Sequence, residues 1–391
     1  GITEYSFQPE LTANASNTVW SKAYGPDELT VDSNSGLISW AIPESLANES
    51  FHLGVKAQNA QGSNTETWVV TLGEGNIVYM GPGETHKDLT SALAAMASGD
   101  TLIVRNGVYH GEQNKMGDFG NRKRVGPPSG SSSNFTTVLA EDPGHVVFDS
   151  RGQENHTPFH LVGTSVHPDW GHVSSEIEKY DDRSYIALKG MVTKNSDGAG
   201  IRLDNVNHVK LIDMGVADAG RTTGAMTANV YVARSQYVLA EGLYLWGRGR
   251  YKLQFYRSSE LVARRTVARI DEYHGDEPIG GLIAYCSKNV RFQNNIVVDG
   301  NARRFWTNTH NLINIYGVPA TNCGDYPENI VYERSLGVNT DLGLMATWAD
   351  SQSNDKPVVW KDMVGWALSP AKYDHGLGSH IPVLSAPGPS L

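Results

Sequence analysis

His86-Lys-Asp-Leu-Thr-Ser-Ala-Leu-Ala-Ala-Met-Ala97 runs directly into Ser98-Gly-Asp-Thr-Leu-Ile-Val-Arg-Asn-Gly-Val-Tyr109, and this junction decides the fold. Its first half puts Leu89, Leu93 and Met96 on one side of a short helix, the period of an element that buries one stripe. Its second half is an apolar strand from Thr101 to Val104, followed by Asn106-Gly-Val-Tyr109.

Beyond this junction the chain repeats itself loosely. Apolar strand starts recur as Tyr185-Ile-Ala-Leu, His208-Val-Lys-Leu, Tyr237-Val-Leu-Ala, Glu260-Leu-Val-Ala, Asn289-Val-Arg-Phe and Asn329-Ile-Val-Tyr. Equating Ile186, Val209, Val238, Leu261, Val290 and Ile330 gives steps of 23, 29, 23, 29 and 40 residues. Periods of this length imply supersecondary units that bury their faces against neighbours. Asp213, Asn294 and Asn295 follow the strand starts, where the turns of a coil belong. A leucine-rich repeat is excluded, because no LxxLxL ladder occurs.

The Gly99-Asp-Thr-Leu-Ile-Val104 and Asn106-Gly-Val-Tyr109 pair, with these repeats, resembles the right-handed parallel β-helix proteins of the pectate-lyase-like class. In that class an amphipathic helix caps the open end of the solenoid. An uncovered end would leave apolar core and backbone pairing groups in water. The resemblance implies a β solenoid over residues 76–391, irregular from about 366, where Ser369-Pro begins a Pro-, Gly- and Ser-rich stretch.

Residues 1–75 read differently, as short strands with turn signals at about ten-residue spacing, which suggests a small all-β sandwich. Gly25-Pro26, Leu29, Asp32, Gly36-Leu-Ile-Ser-Trp40, Ala57-Gln-Asn-Ala-Gln-Gly62 and Trp68 resemble bacterial Ig-like, cadherin-like modules. In that family such modules are spacers or adhesive units of secreted proteins. The expected fold class is therefore all-β, an N-terminal Ig-like sandwich followed by a right-handed parallel β-helix with a short capping helix.

Composition narrows the function. The formal charge is −10, which argues against nucleic acid, since phosphate binding needs a basic footprint. No apolar run is long enough for a membrane-spanning helix. Gly1 is not an initiator methionine, so the chain is read as processed or cut; the expected location is secreted or cell-surface. Cys286 and Cys323 allow one disulfide or two free thiols. The loop from Gly152 to Arg183 holds His156, His160, His167 and His172 without a metal-binding spacing, and reads as polar surface.

Against the acidic background, Arg248-Gly-Arg-Tyr-Lys-Leu-Gln-Phe-Tyr-Arg-Ser-Ser-Glu-Leu-Val-Ala-Arg-Arg-Thr-Val-Ala-Arg269 carries seven cations and one acid. Arg248, Arg250, Lys252, Gln254 and Tyr256 alternate with Tyr251, Leu253 and Phe255, the mark of a strand with one exposed face. Stacked coils stand about 5 Å apart, so Arg248, Arg250 and Lys252 on one coil and Arg264, Arg265 and Arg269 on the next are expected to share one patch. Arg303 and Arg304 would extend it, and Asp271-Glu-Tyr-His-Gly-Asp-Glu277 would border it. Such a row of like charges calls for counterions, either those carboxylates or a bound polyanion.

Two functions follow. One is a polysaccharide lyase acting on an anionic polysaccharide, where β-elimination needs a base beside the carboxylate and cations for the enolate-like charge. Alginate lyases and chondroitinase-B-like enzymes of this solenoid class use a Lys base and an Arg beside calcium. That resemblance implies Lys252 as base, Arg250 or Arg269 as charge stabiliser, and Asp271 and Glu272 as candidate calcium ligands. Arg248, Arg264, Arg265, Tyr256, His274, Arg303 and Arg304 would contact substrate. That family's Asn and paired-Glu ligand pattern is absent before the Lys. A polygalacturonase-type hydrolase would want clustered aspartates, of which Asp213 and Asp218 are the nearest. The other function is non-catalytic: a secreted adhesin, or a homo-oligomer or extracellular fibre subunit.

Overall fold

A computed structural model describes residues 4–9, 17–43, 50–72, 75–117, 125–151, 157–220, 227–269, 280–298, 315–318, 328–340, 345–347 and 359–368. The N-terminal part holds two three-stranded antiparallel sheets. One joins Glu4–Phe7, Ile38–Ala41 and Thr30–Val31; the other joins Val19–Tyr24, Ser50–Asn59 and Gly62–Thr71. Trp20, Leu29, Ile38, Trp40, Leu53 and Val55 form their common core.

From Ile77 onward the described residues build a parallel β-helix. Three parallel sheets of eight, ten and nine strands run along it, each coil supplying one strand to each. A representative coil contributes Tyr251–Tyr256 to the eight-stranded sheet, Ser259–Arg264 to the ten-stranded sheet and Val267–Arg269 to the nine-stranded sheet. The residues equated in sequence are direct cross-strand partners: Ile186 with Val209, then Val238, Leu261, Val290 and Ile330. All six are buried, in one apolar core that runs through the coils.

The junction at 86–109 works as a cap. Helix α1 spans Leu89–Ala94, shorter than the expected stretch, and Asp88 closes its start by accepting the Ser91 amide at 2.8 Å. Leu89, Leu93 and Met96 join the solenoid core. Asp100 of the Gly-Asp-Thr run accepts the amides of Asn76 and Ala97, both at 2.7 Å. One buried carboxylate thereby ties the helix exit to the first strand of the ten-stranded sheet.

The corners recur from coil to coil. Between the eight- and ten-stranded sheets, Asn205, Arg234, Arg257 and Cys286 all adopt the left-handed backbone conformation that permits a sharp corner. The next residues form a hydrogen-bonded column: the amides of Val206, Ser235 and Ser258 donate to the hydroxyls of Ser235, Ser258 and Ser287. Each buried amide at the bend therefore has an acceptor, as burial demands. Asp213 and Asn294 occupy a second left-handed corner, and Asn295 seals it by accepting the Thr266 amide at 2.9 Å. Cys286 is buried and disulfide-bonded; the chain's other cysteine, Cys323, lies outside the described residues.

Candidate active-site cleft

Three sheets mean three outward directions, and this redistributes the basic band. Arg250 precedes the strand Tyr251–Tyr256 of the eight-stranded sheet, Arg264 ends a strand of the ten-stranded sheet, and Arg269 ends a strand of the nine-stranded sheet. The expected single patch is therefore divided among faces. Arg264 donates to Glu241 at 2.6 Å, and Arg265 pairs with the other oxygen of the same carboxylate. These two arginines belong to a charge ladder along the ten-stranded sheet.

Lys252 also departs from the expected exposed row. Its side chain is fully buried and donates its ammonium to the carbonyl of Gly247 in the corner before the strand, at a point where the cross-strand register passes from Tyr251 to Leu253. Alternation along the strand holds from Leu253 to Tyr256, with Leu253 and Phe255 inside and Gln254 and Tyr256 partly exposed. Arg248 sits in the corner, its amide donating to Asp218. Asp213 and Asp218 flank opposite ends of the strand Gly215–Ala217, and neither lines the cleft of the eight-stranded sheet. Asp271, Glu272, His274, Arg303 and Arg304 lie outside the described residues. Among the described residues, no cluster of three or more His, Cys, Asp or Glu stands ready for a metal.

The outer face of the eight-stranded sheet carries a cleft of about 530 Å³. Of the residues expected to bind substrate or charge, Arg250 and Tyr256 line it. They are joined by Gln254, which the alternation had placed on the exposed face, and by Arg202, Tyr231 and Tyr285, which were not anticipated. Arg202, Tyr231 and Gln254 are successive cross-strand partners, one coil apart at steps of 29 and 23 residues. Those are the steps from Val209 to Val238 and from Val238 to Leu261, so the repeat that located the ten-stranded sheet also located this row.

The cleft is organised around Arg202. Asp204, two residues along the same strand and on the same face, is fully buried and accepts Arg202 Nε–H at 2.5 Å and an Nη2–H at 3.3 Å. From the adjacent strand, His160 places Nε2 2.7 Å from the same carboxylate. The Arg202 guanidinium lies 5.1 Å from the centre of the Tyr231 ring, a cation–π contact. It is thus held at one edge and on one face, and its side chain remains 39% exposed.

Burial works against ionisation of Asp204, but the Arg202 charge and the His160 hydrogen bond outweigh it and hold the carboxyl below its ordinary range. Burial, reinforced by the Asp204 charge, pushes the Tyr231 phenol well above the ordinary tyrosine value. Tyr231 is therefore a protonated hydroxyl at neutral pH. Arg257 covers Tyr256 at 5.3 Å, and Arg250 covers Tyr251 at 4.7 Å. Tyr231, Tyr256 and Tyr285 form a line of rings with centroid spacings of 6.1 and 5.4 Å. No carboxylate is among the described residues lining the cleft. Its chemistry is that of guanidinium groups, phenols and one amide: an acceptor of anions with a hydroxyl-binding floor.

No protein family and no curated protein matches the chain. Among solved structures, it is similar to the pectin methylesterase from Aspergillus niger, at 11% identity over 81% of this chain and 92% of that one, with a TM-score of 0.32. It is similar to an alginate lyase from Paenibacillus sp. str. FPU-7, at 10% identity over 76% and 96%, with a TM-score of 0.31. A Yersinia enterocolitica family 28 exopolygalacturonase is 12% identical over 97% of each chain, with a TM-score of 0.26.

Proposed function

We propose that the chain is a secreted or cell-surface protein that binds an acidic polysaccharide in the cleft of the eight-stranded sheet and cleaves it by β-elimination. The observation that carries this reading is the clamped Arg202 in a cleft whose described lining bears Arg250 as a second cation and no carboxylate. A uronate carboxylate would meet the guanidinium edge that Asp204 leaves open, a paired, planar recognition to which arginine is suited. The tyrosine line offers ring faces and hydroxyls to the sugar rings.

β-Elimination would pass the proton next to the carboxylate to the phenolate oxygen of Tyr256, which lines the cleft beneath the Arg257 guanidinium, place the electron pair in an enolate-like system, and expel the glycosidic oxygen at the neighbouring carbon. Arg202 and Arg250 would stabilise the charge that gathers on the carboxylate. The protonated hydroxyl of Tyr231 would donate to the departing oxygen. A glycosidase that uses two opposed carboxylates is less well matched to this lining. The disulfide at Cys286 supports an oxidising compartment.

Titration with oligomers of alginate, pectate and glycosaminoglycans, with absorbance of the unsaturated uronate followed in parallel, tests the reading. Binding to at least one polyuronate with rising absorbance is expected, and Arg202→Ala should weaken binding by about tenfold or more, the order of one charge-assisted pair. Binding without product would leave a non-catalytic adhesive or fibre protein. No affinity for any of the three classes would overturn the proposal altogether.

A further inference from the structure

One outward row of the nine-stranded sheet is apolar throughout, beside a second row that includes Lys194 and Arg269. Its central outward row begins at Val108 and passes through Val192, Tyr244, Val267 and Ile296 to Val364, each in register with its neighbours. All nine positions of this row are Val, Ile, Leu, Tyr or Gly. Val108 is 56% exposed, Val364 52% and Tyr244 44%. The single glycine, Gly215, leaves no hole: two ring carbons of Trp246 lie 3.4 Å from where its Cβ would stand.

Strand propensity alone does not explain this row, since threonine serves a pleated surface as well as valine. The ten-stranded sheet differs: its corresponding row starts apolar at Ile103 and Leu139 but then mixes charge in, through Lys189, Ile212, Glu241, Arg264, Gln293 and Glu333. A sheet face in water selects polar residues at its outward positions. An uninterrupted apolar strip over nine strands instead marks a contact surface.

We infer that this face is the interface of a homodimer, packed against the same face of a second copy. Three features select that occupant. Another solenoid has the same strand spacing, so the rows of the two copies stay in register along the full length. An isologous contact sets apolar row on apolar row and needs no complementary charge. The area also suffices: nine strands at about 4.8 Å make a face about 40 Å long. A strip about 12 Å wide would then bury about 1,000 Å² in total, the lower bound of a specific interface.

The geometry supplies a register. Tyr244 lies on the middle strand of the nine. A two-fold axis through that strand sets Tyr244 against its own symmetry mate, where a large aromatic contributes most. The same axis sets Ile296, two strands to one side, against Val192, two strands to the other.

Sedimentation velocity over a concentration series tests the dimer. The wild-type chain should dimerise in the micromolar range, typical of a small apolar interface. Tyr244→Lys should weaken this by at least tenfold, while Tyr237→Lys on the ten-stranded sheet should not change it. Ile296→Lys should also dissociate the dimer, and adding Val192→Glu in the same chain should restore it through opposite charges across the axis. Circular dichroism of each variant separates dissociation from unfolding. A wild-type chain that stays monomeric throughout, or a folded Tyr244→Lys chain that dimerises normally, would overturn the inference. A double variant that stays monomeric would overturn the two-fold register.

Discussion

Asp204 accepts the Nε–H of Arg202 at 2.5 Å from two residues further along the same strand. The pair is therefore set by the pleat, which returns side chains to one face every second residue. Asp204→Asn keeps the shape and removes the charge. It is expected to weaken binding of an acidic oligosaccharide by about tenfold, through a guanidinium that is no longer fixed. It should also lower stability by about 2–3 kcal/mol, because Arg202 and His160 lose a buried acceptor. Isothermal titration and urea unfolding read the two effects separately. Arg202→Lys, which preserves charge without the fork, should mimic the binding loss with a smaller stability loss.

Lys252 is fully buried against Gly247, so its removal is expected to act on the fold. Lys252→Ala should cost about 3 kcal/mol through lost packing and an unmet backbone acceptor. Any polysaccharide affinity per folded molecule should stay within twofold of wild type. A folded Lys252→Ala chain that binds normally but forms no product would restore Lys252 to the chemistry.

The loop before Ser184 is anchored by His167, whose Nε2 lies 3.0 Å from Ser259 Oγ, and by Asp169, which pairs with Lys288 at 2.9 Å. Burial lowers the His167 pKa; Asp169 opposes this and Lys288 adds to it. The folded state thus favours the neutral ring. The resulting stability is present above the unfolded histidine value of about 6.5 and is lost as pH falls through the lower folded value. Lower protection factors in this loop, with hydrogen exchange corrected for its intrinsic pH dependence, are expected on acidification from neutral pH. His167→Gln, which keeps a polar partner for Ser259 without titrating, should flatten that dependence.

Asp149 titrates lower. Burial raises its pKa, but hydrogen bonds from Arg151 and Asn195, with the Arg151 charge, bring it down to about 2. Its contribution is present above the unfolded carboxyl value of about 3.9 and disappears as pH falls toward about 2. Because Arg151 is 64% exposed, solvent screening reduces the benefit to about 1–2 kcal/mol. Asp149→Asn should lose this at pH 6 and converge with wild type near pH 2 in a series of urea melts.

The coil register was legible because the inward positions, from Ile186 to Ile330, stay apolar while the steps between them vary. Corners were marked by Asp213 and Asn294, whose side chains tolerate the left-handed conformation. The site was legible only in part. Arg250 and Tyr256 stood out as a local cluster, but Arg202 and Tyr231 required the same repeat to be carried to a second strand in each coil. Period two assigns a face, and it is blind to a local irregularity in the strand, as at Lys252, where the cross-strand register skips a residue and the side chain is buried. Local charge density was misleading for Arg264 and Arg265, because residues a dozen positions apart on a three-sided coil point in different directions.

The one-rung-per-coil arrangement has a consequence for how such a protein changes over generations. Excising or duplicating a whole coil keeps the corners and the core but alters every face at once by one step. Loss of the coil that carries Tyr231 would bring Gln254 directly beside Arg202, and would also remove the nine-stranded sheet's central rung with Tyr244. Cleft chemistry and the apolar strip are therefore inherited as linked traits at the level of coils, while point substitutions can tune each independently.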